Sequence, residues 1–583
     1  MASYNRFYEL EYNTDWFSLA GEEELKTYTA DFETTTELDD CRVWAWAICD
    51  VDNTDNVIYG NSIETFFSVI AALPDCKIYF HNLAFDISFM FDFMLKNGYA
   101  WEEGRFPKYD KGFTTVISDM NQVYSMRVNM GHGHSVTFWD SLKVIPLSIA
   151  NEAKAFGLEI GKGDLDYTAK REVGHVITDA EKEYIRRDVV IDAQALAIVF
   201  ESGLNKMTIG SCALSNYKKL IGGEKGFRHH FPKLSKVEDE FIRMAYRGGF
   251  TYVNPKYAGR LMGEGMSFDV NSLYPSVMAA TDGQLLPYGY PKQFGGSPFD
   301  HVDNDYPLWV AQVSCEFTVK DNHIPCIQLK HNTRFMPTEY ITKSDGVVTL
   351  TITNVDWELI CAQYDITVVQ WHGGYVFHAS TNLFKRYVDK WVQAKNDATL
   401  EGNKGKRQIA KLMLNSLYGK FATMLEVRSR RPELNEEQAV RYVDLEPTER
   451  DPVYLPVGVF ITSWARYKTI TTAQSCGDRF VYSDTDSVKV LGLDPIDIDI
   501  DDVRLGAWKD EGHFRHIKAL RAKTYVTEYD DGLEVHVAGM PSRCHSQVTF
   551  DNFRLGATYH GKLYQKRVAG GIVLVEDDFQ IRE

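Results

Sequence analysis

The chain is poor in everything that staples or anchors a protein. Its nine cysteines stand singly among 583 residues, with no CxxC pair and no finger-like spacing. That excludes a disulfide framework or a zinc ribbon and fits reduced thiols in a cytosolic compartment. No apolar run approaches the ~18 residues of a membrane span, so no membrane partner is expected. The opening MASYNRFYELEYNTDWF is polar and acidic, which argues against a signal or transit peptide. No ATP-binding P-loop occurs, so no ATP-driven step is expected.

Positive charge is also scarce. The formal net charge is −18, which at first reads against a nucleic-acid partner. Distribution outweighs the sum. RHIKALRAKTY (residues 515–525) and KGKRQIAK (404–411) are strongly basic. Acid gathers elsewhere, as in DPIDIDIDD (494–502), which reads as a solvated loop because it lacks the central Gly and closing Glu of a calcium loop. At about 100–200 residues per domain, the length implies several domains.

Carboxylates are abundant and patterned. KTYTADFETTT (26–36) has strand composition, so Asp31 and Glu33, two apart, share a face. In IYFHNLAFDISFM a strand-like run ends at His81-Asn82, and Asp86 follows at a helix start. DAEKEYIRRDVVIDAQALAIVF (179–200) reads as a long amphipathic helix with Tyr184 and Asp188 neighbours on its surface. Singly these are an edge charge, a dipole-favoured acid and a surface acid. Together, four carboxylates can hold two hard divalent cations that activate a water and stabilise a leaving oxygen, with Tyr184 orienting the water. The set resembles the DEDD-type 3′–5′ proofreading exonucleases over about residues 26–200.

The second half repeats the theme. In EGMSFDVNSLYPSVM (264–278), Asp269 lies near a strand end, and Asn271 is expected to cap a helix from Ser272 that carries Tyr274. In KRQIAKLMLNSLYGKFA (406–422), Arg407, Lys411, Asn415 and Tyr418 form one continuous stripe on a helix, interrupted at Gly419. YSDTDSV (482–488) puts Asp484 and Asp486 on a tight strand connection. As turn chemistry the two acids point at water. As a cation site, Asp269 and Asp486 hold two Mg²⁺ with Asp484 close by, and a 3′-hydroxyl attacks an α-phosphate in line.

DVNSLYPSVM, KLMLNSLYGK and YSDTDSV are similar to the three polymerase motifs of family B DNA polymerases. AYRGGF (245–250), KTY (523–525), HNLAFD and GKGDLDY (161–167) resemble the protein-primed subgroup, the phage φ29 type. The resemblance implies an α/β, multi-domain fold: a DEDD (RNase H-like) exonuclease domain plus a right-hand polymerase with two insertions. Its expected boundaries are 1–208 exonuclease with a short N-terminal extension, 209–280 palm, 281–382 first terminal-protein-region insertion, 383–421 fingers, 422–451 second insertion, 452–537 palm and 538–583 thumb.

It also implies roles. Tyr274 is the steric gate against a ribose 2′-hydroxyl and Tyr418 flanks the nascent base pair. Lys395, Arg407 and Lys411 meet the dNTP triphosphate, and Val270 joins Asp269 and Asp486 in the metal-binding set. Tyr246, Arg247, Gly248 and Gly249 contact the template, Asn415 and Gly419 meet the base pair, and Lys523 and Tyr525 hold the primer terminus. Thr34, Asn82, Phe85, Ser141, Leu142 and Tyr167 guide single strands, while Lys162 assists the exonuclease. DSLKVIP (140–146) resembles a segment shared by single strands and the priming protein.

The expected partners are primer-template DNA, single-stranded DNA and a terminal protein. The expected cofactors are two Mg²⁺ (or Mn²⁺) ions per site, the expected state monomeric, and the location the cytoplasm of a host cell if viral. Arg407 stands where the family often has Lys, and His536 where a Lys is typical, which puts DNA holding there in question. About twenty extra residues precede the first strand, without an assigned role. The rival readings are a nuclease with a decayed polymerase and a non-catalytic scaffold. The first leaves the retained polymerase acids unexplained, and the second leaves both sets, Asp31, Glu33, Asp86 and Asp188 with Asp269 and Asp486, without a reason to be kept.

Overall fold

The computed structural model describes residues 25–166, 169–329 and 339–582. Tyr167 and the N-terminal extension lie outside the described residues. All nine cysteines are free.

The first unit is an eight-stranded sheet. Its order is Asn53–Gly60, Val43–Asp50, Lys26–Thr34, Cys76–Phe80, His134–Asp140, Val123–Gly131, Gly112–Ile117 and Ala100–Trp101. The three middle strands, Lys26–Thr34, Cys76–Phe80 and His134–Asp140, run parallel. VWAWAICD is buried at every position, the near-continuous apolar run of a strand covered on both faces. The helix Asp179–Glu201 packs on one face of the sheet. It begins with a capping box: the Thr178 hydroxyl accepts from the Glu181 amide, and the Glu181 carboxylate accepts from the Thr178 amide.

The second centre is an antiparallel five-stranded sheet, ordered Trp508–Phe514, Gly265–Val270, Ser487–Leu491, Phe480–Asp484 and Thr251–Val253. The helix Leu455–Ser475, mostly buried, lies against it and against the helix Leu273–Met278. Two antiparallel helices, Lys385–Leu400 and Lys404–Ser416, stand beside it. The strands Leu286–Phe294, Tyr364–Ser380, Leu308–Val319 and Val348–Thr353 form a separate four-stranded sheet with its own apolar core. The alternation expected in LWVAQVSCEFTV is there as the strand Leu308–Val319.

Two local expectations are corrected. The helix after Asp269 spans only Leu273–Met278, and its first cap residue, Ser272, is left-handed at φ 54° with no side-chain cap. Asn271 does not cap it. Its amide instead donates to the Asp501 carbonyl at 2.7 Å, tying down the acidic loop. The stripe on the basic helix is not continuous either. That helix ends at Ser416, and Tyr418 opens a separate short turn, Tyr418–Phe421, after Leu417.

The region 422–451 holds the expected hairpin, with shifted bounds: Arg430–Leu434 pairs with Val440–Asp444, so PEL is strand and not tip. Val440 is buried in the core of the first unit, beside the helix Leu83–Lys96. The terminal hairpin, Thr558–Val568 with Gly571–Gln580, reaches the same helix. At its turn the Gly570 amide donates to Asp92 Oδ1 at 2.8 Å. A Cβ at Gly570 would sit 2.0 Å from the Cys41 carbonyl oxygen, so only glycine fits that approach. Arg567 of this hairpin lies over the Tyr442 ring of the other, 4.3 Å from its centre.

Candidate active sites

In the first unit the sheet register sets the site. Asp31 and Glu33 project from the Lys26–Thr34 strand, and its neighbour Cys76–Phe80 ends where the chain turns into the helix Leu83–Lys96. That turn is made by Asn82 at φ 69°, its amide donating to Asp140 Oδ1 at 3.0 Å. Asp86 follows in the helix's first turn, and Asp188 comes from the long helix. Asp86, Glu33 and Asp188 are 3%, 6% and 6% exposed.

Burial, then the charge of Asp188, pushes the Asp31 carboxyl up to about 8. Burial, then the charge of Asp31, holds Glu33 and Asp86 well above the usual carboxylate range. Asp188 is raised by burial and pulled back by Lys162, whose Nζ lies 2.8 Å from Asp188 Oδ2. Carboxylates that force one another neutral in this way mark a site built for a positive partner. Asp86 Oδ1 and Asp188 Oδ1 are buried without a hydrogen-bond partner. The donor set is all oxygen, which fits hard divalent ions. Asn82, Leu142, Lys162, Asp31 and Asp188 line one open cavity.

Tyr184 is buried on the long helix, its ring 5.9 Å from Lys162 Nζ. Thr34 ends the first strand after a register shift, and the Phe85 ring lies 5.7 Å from that of Phe89, tilted at 53°. Ser141 is fully buried, its hydroxyl 3.1 Å from His81 Nδ1. His81 was not singled out by the sequence as a site residue. It lines the same cavity, and burial pushes its imidazole down to about 4.

The second site sits where two strands of the central sheet meet. Asp269 pairs with Ser487, and the Val270 amide donates to the Asp486 carbonyl at 2.8 Å, so the end of the Asp269 strand lies against the turn that carries Asp486. Burial, then Asp486, pushes Asp269 up to about 7, and burial raises Asp486. The two fit a divalent cation on the same reasoning as the first set.

Asp484 is occupied otherwise. It accepts from Lys523 Nζ at 3.0 and 3.1 Å and from the Thr251 hydroxyl at 2.9 Å. The turn between the two acids is carried by Thr485 at φ 59°, a left-handed conformation that a β-branched residue adopts only under strain, at about 1–3 kcal/mol. It is held there by its amide donating to the Phe250 carbonyl (2.6 Å) and its own carbonyl accepting from the Thr469 hydroxyl (2.8 Å). A Cβ on Gly249 would stand 2.7 Å from the Thr485 side chain, so this glycine's fixed duty is to make room for the turn.

Around this pair the predicted residues gather. The rings of Tyr274 and Tyr418 stack at 4.4 Å and 29°, and the Tyr418 and Tyr246 hydroxyls are 2.8 Å apart. Lys395 is pushed down by burial and then by Arg407 and Lys411, so three cations from two helices converge. Arg407, Lys411, Asn415 and Gly419 are exposed. Nothing lies within 4 Å of a Cβ built on Gly419, so the turn faces open space and not a close protein neighbour. Tyr525 stacks on His536 at 4.6 Å and 18°, and His536 Nε2 lies 3.0 Å from Glu534 Oε1.

Arg466 was missed. It donates to the Arg247 and Gly248 carbonyls at 2.8 and 2.9 Å and pairs with Asp356 at 2.7 Å while only 4% exposed. It therefore fixes the backbone of the 247–249 segment. Its signal is a lone guanidinium inside the buried helix LPVGVFITSWARYKTITTAQS.

The family described as "DNA polymerase type B, organellar and viral" matches residues 74–178 and 168–502. The DNA polymerase of Bacillus phage phi29 is 41% identical over 96% of this chain and 99% of its own length. This chain belongs to the type B DNA polymerases. The enzyme of Bacillus phage Nf is 42% identical over 96% of this chain and 100% of its own, and that of Streptococcus phage Cp-1 is 32% identical over 95% and 98%. The solved phi29 DNA polymerase with primer-template DNA and incoming nucleotide has a TM-score of 0.89 at 39% identity, covering 96% of this chain and 100% of that one. The same phage enzyme with single-stranded DNA has a TM-score of 0.87. The polymerase is thus a φ29-type DNA polymerase whose fold joins exonuclease and polymerase units, and its family implies the use of divalent metal. Among the described residues, no helix is long and apolar enough to cross a membrane.

Proposed function

We infer that this polymerase extends a 3′-hydroxyl on a DNA template at the Asp269–Asp486 site and trims the same end 3′ to 5′ at the Asp31–Glu33–Asp86–Asp188 site. The observation that carries this reading is a converging cation group, Lys395, Arg407 and Lys411, as a triphosphate requires, on two helices packed against the helix Leu273–Met278 that follows Asp269. Two Mg²⁺ or Mn²⁺ ions bound in each site supply Lewis acidity to the phosphate.

The chain's own residues do the rest. Arg407, Lys411 and Lys395 orient the triphosphate. Tyr274, braced on Tyr418, closes the sugar side. Lys523 holds Asp484 away from the reacting pair, and Tyr525 seats the primer end. In the exonuclease, Asn82, Phe85, Leu142 and Thr34 seat the single strand, Lys162 balances Asp188, and Tyr184 orients water. Synthesis is proposed to begin on a terminal protein's hydroxyl, to run processively as a monomer, and to copy a linear viral or plasmid-like genome in a host cytoplasm. The domain limits proposed are those of the sequence reading. A primer-extension assay with Mg²⁺ and dNTPs, read for both extension and 3′ digestion, tests the pairing of activities. Absence of either from a folded protein sinks the reading.

The tyrosine wall gives a selectivity prediction. Tyr274→Val should raise ribonucleotide use about 10–100-fold, the range of one lost pocket contact, while Tyr274→Phe keeps the discrimination. Competition between rNTP and dNTP on one primer measures it, and unchanged discrimination in the Val variant removes Tyr274 from this role.

The hairpin pair gives another. The 422–451 hairpin and the terminal hairpin meet through Arg567 and Tyr442, a contact suited to closing a ring around DNA. Opening a base-pair step costs about 0.6–2.2 kcal/mol, which nucleotide incorporation can offset if the ring keeps the second strand out. Deleting residues 427–445 with a short Gly linker should leave extension on a primed single strand. It should sharply cut displacement products on a primed circle with a competitor trap. Full-length displacement by the variant would refute the ring.

A further inference from the structure

Three segments bring a second set of metal-type ligands together below the exonuclease cavity. His81 lies at the end of the Cys76–Phe80 strand, Glu152 on the helix Ile149–Phe156, and Asp192 on the long helix, one turn beyond Asp188. One nitrogen of His81 and one oxygen from each acid all lie within 4.8 Å of one another. His81 Nδ1 stands 3.7 Å from Glu152 Oε2 and 3.9 Å from Asp192 Oδ1. None of Asp31, Glu33, Asp86 or Asp188 belongs to this set.

Two features point to a ligand. Glu152 is 0% and Asp192 2% exposed, and all four of their carboxylate oxygens are buried with no donor. Leaving such oxygens unmatched is unfavourable, most of all when they are charged. Second, His81 Nε2 lies 2.7 Å from the Leu147 carbonyl, which can only accept, so the ring proton sits on Nε2 and Nδ1, which accepts from the Ser141 hydroxyl at 3.1 Å, is the nitrogen that faces the two acids. Histidines that bind metals are fixed in this way by a carbonyl behind them.

Charge decides between a proton and a cation. One shared proton leaves a buried negative charge. A divalent ion neutralises both carboxylates and takes the Nδ1 lone pair in place of the Ser141 hydroxyl. Bonds of about 2.0–2.2 Å to one ion leave ligand atoms some 3–4 Å apart, the spacing seen here. Imidazole with two carboxylates suits zinc-class first-row ions, and Mg²⁺ poorly, since it prefers oxygen ligands and keeps its waters.

We propose that His81, Glu152 and Asp192 bind one zinc-class divalent cation, separate from the ions of either active site, which ties the helix Ile149–Phe156 to the floor of the exonuclease cavity.

The test uses the full chain carrying Asp31→Ala, Asp86→Ala, Asp269→Asn and Asp486→Asn, so that two carboxylates of each active site are removed. Loaded with Zn²⁺ alone and desalted, it should retain one ion, and adding Glu152→Gln with Asp192→Asn should abolish retention. Because those changes could disturb folding, the unsubstituted chain is also loaded with Co²⁺. A strongly shifted imidazole N–H signal in the proton spectrum, protected from exchange by Leu147, is expected. No retained Zn²⁺, retention that survives the Glu152→Gln/Asp192→Asn change, or Co²⁺ bound without the imidazole signal each overturns the site. In that case a proton shared between Glu152 and Asp192 accounts for the pair.

Discussion

Asp486→Asn should lower primer extension by at least about 10²–10³-fold while 3′ digestion of single-stranded DNA continues near the wild-type rate. Removing one preorganised charge from a reacting centre carries roughly that penalty. Here the loss is compounded, because Asp269 loses its charged neighbour. The change is nearly isosteric, and the Asp486 carbonyl still accepts from Val270, so the sheet should hold. Asp31→Ala with Asp86→Ala should do the reverse, removing digestion and sparing extension. Both activities are read from one labelled primer on a denaturing gel. If either change removed both activities from a folded chain, the two sites would not be independent.

A second large effect is expected away from the chemistry. Arg466→Met should destabilise the central unit by about 3–5 kcal/mol, the usual cost of stranding one partner of a buried ion pair. Asp356 would keep the Thr353 and Ser463 hydroxyls but lose the guanidinium, while the Arg247 and Gly248 carbonyls lose their donor. Adding Asp356→Leu should restore part of that loss, because an apolar pair leaves no stranded charge. Urea unfolding followed by intrinsic fluorescence would measure it. Equal midpoints for wild type and Arg466→Met would show that the pair contributes nothing. Extension should fall in both variants, since the 247–249 segment loses its anchor even where stability returns.

Much of the fold was legible because local signals agreed. The strand Lys26–Thr34 alternates, the helix Asp179–Glu201 announces itself with Thr178 and Glu181, and the acids Asp269 and Asp486 sit at strand ends. What was not legible depends on distant partners. Asn271 reads as a cap, yet the loop at 501–504 claims its side chain. Thr485 breaks the local rule against left-handed β-branched residues, and only the contacts of Phe250 and Thr469 make that affordable. Arg466, and the meeting of His81 with Glu152 and Asp192, join segments that no periodicity connects. The long stripe through Tyr418 was overread because a helical wheel does not show the break at Leu417.

The terminal hairpin packs on the helix Leu83–Lys96, where the Gly570 amide donates to Asp92 and a Cβ at Gly571 would stand 2.5 Å from the Phe89 ring, and its Arg567 covers Tyr442 of the 422–451 hairpin. The joint is non-covalent throughout. It is a clasp and not a weld. In a ring closed by the two hairpins, as proposed above, a DNA end would thread through, whereas a circle, which has no end to thread, would need the contact of Arg567 with Tyr442 to part. Loading on circles should therefore be slower than on ends, and the difference should shrink as the clasp is weakened.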